Sequence, residues 1–273
     1  MTHKQAKWRA IMTSITTSAP GKCILFGEHA VVYGHPAVAV AIDQRISVRI
    51  QPSPSGIWLL DGSELNMQRN PHIAALINKL WPKESGAPPL SIHIEGNIPR
   101  AAGLGSSAAL SVAFAGALRL ARGRLMREAG SNDRVHWAEG FGSTISLTSA
   151  YDNKTGIFPD QTLSELFHLT GPESVDADEN AILAHSAEAN AQKGRASPMD
   201  SSTCSHGGII VISDQQEHKL DYLYHRELTT PSGTVRWHIH ELASIEQPDD
   251  VYLVIGNTGV NAPTAKQVAK VAK

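Results

Sequence analysis

The stretch Pro99-Arg100-Ala101-Ala102-Gly103-Leu104-Gly105-Ser106-Ser107-Ala108-Ala109 joins two segments of different period. Before it, Leu90-Ser91-Ile92-His93-Ile94-Glu95 alternates apolar and polar, the signature of a half-buried strand. After it, Leu110 to Leu120 is a continuous run of small and apolar residues ending in Leu118-Arg119-Leu120, which predicts a helix. A glycine-rich turn therefore opens into a helix N-terminus, where backbone N–H groups lack intrahelical acceptors and the macrodipole is positive. Gly103 and Gly105 allow close approach of backbone to a ligand, and Ser106 and Ser107 add hydroxyls at the cap. That chemistry suits an anion, a phosphate chain above all. The stretch has neither the Gly-Lys-Ser/Thr ending of a Walker loop nor the acidic strand of a dinucleotide fold. Read alone, it also fits a tight turn of small residues selected for packing.

Working outward, Ser18 to Gly34 reads as a short strand, a turn and a compact loop holding Lys22, Glu28 and His29. Ala37 to Ile50 is strand-like, with Asp43-Gln44-Arg45 in its middle, so it is either two strands or one long bent strand. Trp58-Leu59-Leu60 predicts a strand ending at Asp61-Gly62, and His72 to Trp81 carries Ile73, Leu76, Ile77 and Leu80 at helical spacing before Pro82. Residues 122–180 show no steady period and are read as an insertion, with two missed helices as the alternative. An alanine-rich helix follows over Glu179 to Gln192, then strands at Ile209–Ile212 and Leu220–Tyr224. Val251 to Ile255 predicts a buried strand, and Thr264 to Lys273 a helix. His238 and His240 would share one strand face, with no third ligand in view for a metal.

The chain has 273 residues, enough for one large domain or two smaller ones. With 24 basic and 26 acidic residues and a net charge of −2, it lacks the basic excess of a nucleic-acid-binding surface. Two cysteines, Cys23 and Cys204, imply no disulfide framework. No apolar run approaches the length of a membrane span, and residues 1–12 lack the apolar core of a signal peptide. The expectation is a cytoplasmic chain with no nucleic-acid and no membrane partner.

Three stretches together resemble the GHMP small-molecule kinases, and within them the mevalonate-phosphorylating branch. They are Ala19-Pro20-Gly21-Lys22 with Gly27-Glu28-His29-Ala30-Val31-Val32-Tyr33-Gly34, the Pro99–Ala109 loop, and Ala196-Ser197-Pro198-Met199-Asp200 with Gly207-Gly208. Asn257-Thr258-Gly259-Val260 with Thr264 is similar to a further substrate-side segment of the family. The resemblance implies an α+β fold of two domains. An N-terminal domain over 13–208, like that of ribosomal protein S5, would bind ATP and carry the 122–180 insertion. A ferredoxin-like C-terminal domain over 209–273 is expected to be incomplete, because the family's third glycine-rich motif is missing.

The activity implied is ATP-dependent phosphorylation of mevalonate to 5-phosphomevalonate, with Mg²⁺, in isoprenoid synthesis. Asp200 is the candidate base and Lys22 the candidate charge-stabilising partner, both also reasonable from chemistry alone. By resemblance, Pro99, Gly103, Leu104, Gly105, Ser106, Ser107 and Ala108 hold the nucleotide phosphates, and Ser107 with Glu188 holds Mg²⁺. Glu28, His29 and Thr264 are placed near the substrate. Family members often dimerise, which leaves a homodimer open. Other alcohol acceptors, phosphomevalonate, or an inactive nucleotide-binding protein remain as alternatives.

One departure bears directly on the site. Glu188 lies twelve residues before Asp200 where the family has eleven, as though Lys193 were inserted. A one-residue shift turns a helical side chain through about 100°. Glu188 can reach Ser107 only if the extra residue is absorbed after the helix.

Overall fold

The computed structural model describes residues 14–28, 30–31, 35–83, 87–99, 102–128, 177–192, 196–230, 233–242 and 253–256. Their organiser is one long strand. β1 (Ile15–Phe26) runs antiparallel along β2 (Ala37–Pro52), and β2 carries two further partners on its other edge. Its C-terminal half pairs with β5 (Leu90–Gly96), and its first residues pair with β6 (Ile209–Ser213). β3 (Leu59–Leu60) and β4 (Ser63–Glu64) extend the β5 side; β7 (Asp221–Thr230) and β8 (Gly233–Glu241) extend the β6 side. The resulting eight-stranded sheet has the order β4-β3-β5-β2-β6-β8-β7, with β1 on β2.

Ala37–Pro52 is thus a single strand, with an irregularity where its polar centre lies. Register jumps from Pro20↔Arg45 to Lys22↔Ala41, so Ile42 to Gln44 face only Gly21. Proline has no N–H for the ladder, and bulges of this kind re-aim the next side chain. Here the next side chain is Lys22. Leu59–Leu60 and Ser63–Glu64 form a hairpin closed by Asp61 (φ 47°) and Gly62 (φ 82°), the residue pair that a two-residue turn with two positive φ angles favours.

Four helices complete the described chain: α1 (Pro71–Leu80), α2 (Ser106–Glu128), α3 (Ala177–Ala191) and α4 (Met199–His206). α1 buries Ile73, Leu76, Ile77 and Leu80, as their spacing predicts. α2 packs on β1 and β2 with α1, α3 and α4 around it. Its Ala108, Ala109, Ala113, Ala115 and Ala117 are all buried, which lets neighbouring backbones come close. A main core lies between these helices and the sheet, and a second gathers Ala37, Ala39, Met199, Ile210, Ile212, Trp237 and Ile239.

Several sequence expectations are corrected. Residues 122–128 belong to α2 and 177–180 to α3, so the irregular stretch is shorter than 122–180; residues 129–176 lie outside the described residues. The period was obscured because charge is buried there. Arg119 of α2 pairs with Glu179 of α3, and Arg122 beside them is also buried. Burial first, and then the Arg119 charge, bring Arg122 down to about 9, with Glu179 opposing. The strand at Leu220–Tyr224 continues to Thr230. The 208/209 boundary falls inside a continuous sheet, because β6 hydrogen-bonds to β2. Leu253 to Ile255 is neither strand nor buried; Val254 is 89% exposed, and no described strand pairs with it. Residues 257–273, with the expected Thr264 helix, lie outside the described residues.

Candidate active site

The glycine-rich turn and the first motif meet through backbone. The Lys22 N–H donates to the Leu104 carbonyl at 3.0 Å. A Cβ on Gly21 would come within 2.8 Å of that same oxygen, so only glycine fits the crossing. Gly103 and Gly105 have φ of +76° and +72°, the left-handed region. The cap of α2 is Gly105, whose carbonyl accepts the Ala109 N–H, so Ser106 and Ser107 occupy the first helical positions rather than the cap. Ser107 is exposed and Ser106 half-buried, with Ala108 buried beneath them; Pro99 is half-buried ahead of the turn. Space around Gly103 is open, since an added Cβ there would meet nothing within 4 Å. A helix N-terminus, positive φ and open space make an anion cradle.

Lys22 projects from the bulge into this corner and is only 3% exposed. Its Nζ lies 3.0 Å from Oδ1 of Asp200, whose side chain is 32% exposed. Burial alone would pull the Lys22 ammonium down. The attraction and hydrogen bond of Asp200, with smaller help from Glu28, more than offset it and raise the group. Asp200 sits in the first turn of α4, where the helix dipole favours a carboxylate. Ser201 and Ser202 turn their hydroxyls back onto the Pro198 carbonyl.

Glu188 completes the corner. It is buried on α3 and hydrogen-bonded to the Ser107 side chain. Burial, then the Asp200 charge, push its carboxyl up to about 8, with Lys22 and Ser107 opposing. α3 ends at Ala191, ahead of Lys193, so the extra residue falls after the helix and Glu188 keeps its face. A buried carboxyl driven up by a neighbouring carboxylate, with a hydroxyl beside it, is an oxygen-donor set that a divalent cation would relieve. No group of three or more His, Cys, Asp or Glu among the described residues could hold a metal by itself. A Mg²⁺ held through one or two carboxylates and ligand phosphates needs no such cage. The residues present fit that ion.

Glu28 is exposed on the loop after β1, near enough to influence Lys22. His29 and Thr264 lie outside the described residues. Cys204 is one helical turn beyond Asp200 and buried; burial, followed by the charges of Asp200 and Glu188, raises its thiol well above the usual range. Sequence reasoning missed its place beside the carboxylates. The i, i+4 spacing from Asp200 on a short helix was the available signal.

Residues 72–151 match the GHMP kinases N terminal domain. The mevalonate kinase of Methanothermobacter thermautotrophicus is 32% identical over 207 residues, 74% of this chain and 51% of that protein. The chain is similar to members of the GHMP kinase family. The mevalonate kinase of Archaeoglobus fulgidus is 46% identical over 103 residues, covering 37% of this chain and 36% of the relative. The crystal structure of the Methanococcus jannaschii mevalonate kinase superposes with a TM-score of 0.46 at 23% identity, over 74% of this chain and 54% of that one. The match spans about half the length of the first of these curated relatives and about a third of the second. Among the described residues no helix is long and apolar enough to cross a membrane.

Proposed function

We propose that this chain binds ATP on the Pro99–Ala108 turn and transfers the γ-phosphoryl group to the primary alcohol of mevalonate, giving 5-phosphomevalonate. The observation that carries the reading is the Lys22–Asp200 ion pair standing beside Glu188 and Ser107 at the mouth of α2. Phosphoryl transfer asks the protein mainly for positioning and electrostatic stabilisation, and this corner offers both.

In the proposed step the alcohol oxygen bonds to the γ-phosphorus as the bond to the β–γ bridging oxygen breaks. The alcohol proton passes to the Asp200 carboxylate, leaving ADP and the phosphate ester. Lys22, a buried fixed charge, stabilises the negative charge growing on the attacking oxygen. The Gly103–Ala108 backbone N–H groups orient the phosphates. Glu188 and Ser107 would hold Mg²⁺, which when bound neutralises charge on the phosphate oxygens. Glu28, His29 and Thr264 are assigned to the substrate side by family resemblance. Mevalonate is preferred over other acceptors because the matched relatives carry that name.

The test is ADP release by the purified chain with ATP and Mg²⁺, comparing mevalonate, phosphomevalonate, galactose and homoserine, with Asp200→Asn as the blank. Turnover on mevalonate that the blank lacks supports the reading. Turnover on another acceptor moves the substrate. A folded chain that binds ATP without turnover on any acceptor overturns the catalytic claim.

A further inference from the structure

His185 lies on α3 three residues before Glu188, so the two side chains emerge on neighbouring positions of one helix face. Its ring is completely buried, yet both nitrogens are engaged by groups from other segments. Arg226 of β7 donates its Nε–H to Nδ1 at 2.9 Å, and its second nitrogen donates to Ser186 Oγ at 3.0 Å. A guanidinium can only donate, so Nδ1 must be the acceptor. The ring proton is therefore on Nε2, which lies 3.0 Å from the Ala196 carbonyl and donates to it. Trp237 of β8 stands edge-on to the ring at 6.1 Å and holds its plane. Burial and the Arg226 charge bring His185 down to about 3, which keeps the ring neutral and this tautomer in place.

The carbonyl that His185 grips is four residues ahead of Asp200. The chain between them is stiff: Pro198 fixes one φ angle, and its carbonyl accepts from the Ser201 and Ser202 hydroxyls and the Ser202 N–H. A displacement at Ala196 is therefore passed on to the start of α4, whereas a displacement of α3 moves Glu188. One ring joins the two.

We propose that His185 is a positioning residue, set by Arg226, that fixes the distance between the Glu188 carboxyl on α3 and the Asp200 carboxylate on α4. Its effect on turnover rests on the phosphoryl-transfer reading; the tether itself does not. The ring belongs to neither group of substrate contacts and acts only through Ala196.

The experiment uses His185→Asn, whose amide can still meet Arg226 but is too short for Ala196, and His185→Gln, which reaches toward Ala196. Backbone hydrogen exchange is followed in the ligand-free chain. His185→Asn should speed exchange over 197–203 by about tenfold or more, with 209–213 unchanged, and His185→Gln should recover most of that protection. With mevalonate and ATP, kcat should fall by about tenfold to a hundredfold in the Asn variant, while KM for ATP changes by less than about twofold. Unchanged exchange over 197–203, or an equal rise across the sheet, would overturn the tether. Altered exchange without any parental turnover would retain the tether and sink only the kinase reading. Should the Asn variant not fold, imidazole nitrogen shifts of the parent chain decide: an Nε2-protonated tautomer is expected, and an Nδ1-protonated one refutes the arrangement.

Discussion

Two glycines two positions apart, Gly103 and Gly105, provide an internally controlled test of how the turn holds Lys22. Both have positive φ, so alanine at either costs about 1–2 kcal/mol of backbone strain, offset by about 0.4–1 kcal/mol from a less flexible unfolded chain. At Gly103 that is the whole effect, because a Cβ meets nothing within 4 Å. At Gly105 the Cβ would lie 2.7 Å from Lys22 Cγ and 3.1 Å from its Cε. Lys22 cannot swing aside: it is buried, its N–H is bonded to Leu104, and its ammonium is bonded to Asp200. Overpacking against a held side chain adds about 1–3 kcal/mol. Gly103→Ala should therefore destabilise by about 0–1.6 kcal/mol, and Gly105→Ala by about 1–3 kcal/mol more than that. Urea denaturation of both ligand-free variants at one pH reads the difference directly. If the two variants lose the same stability, the turn does not clamp Lys22. That result would remove the physical link between the glycine-rich turn and the ion pair.

Asp200→Asn should abolish turnover and lower the Lys22 pKa, since burial then acts without its main counter-charge; the lysine's titration by NMR reports this, and an unmoved pKa would contradict it. Its stability cost should be about 1–3 kcal/mol, below that of a fully buried pair because Asp200 is 32% exposed. Glu188, held at about 8 when folded against 4.5 as its ordinary value, binds a proton more tightly in the folded chain, so ligand-free stability should fall as pH rises from 4.5 through 8. Denaturation between pH 5.5 and 8.5 should show a steeper decline in the parent than in Glu188→Gln, and parallel profiles would refute the shift. Glu179→Gln should cost about 3–5 kcal/mol by removing the carboxylate that pairs with the buried Arg119. A loss under about 1 kcal/mol in thermal or urea unfolding would mean that the cluster is hydrated in solution.

The elements that could be read from residue order are those whose cause is local. Ile73, Leu76, Ile77 and Leu80 mark α1 because their spacing matches one helix face, and Asp61-Gly62 marks a turn because few other pairs accept two positive φ angles. The Gly103–Ser107 turn was legible for the same reason, and family resemblance added roles for Lys22, Glu188 and Asp200. α2 and α3 were harder to delimit. They are buried on several sides, so Arg119, Arg122, Glu179 and His185 occupy positions where a one-sided pattern would require apolar residues.

By itself, the sequence determined the glycine turn, the helix it opens, the small-residue face of α2 and the supply of one lysine and two acids in separate motifs. Only the tertiary structure decided that these meet. The bulge after Pro20 aims Lys22 inward, α3 closes before Lys193 so that Glu188 faces Ser107, and α4 brings Asp200 within 3.0 Å of the ammonium. The strand partners that hold His185 come from residues 226 and 237, far along the chain. Local chemistry specifies what each segment can form, but a charge is stable inside a protein only where another segment supplies its partner, and that pairing exists only once the sheet has assembled.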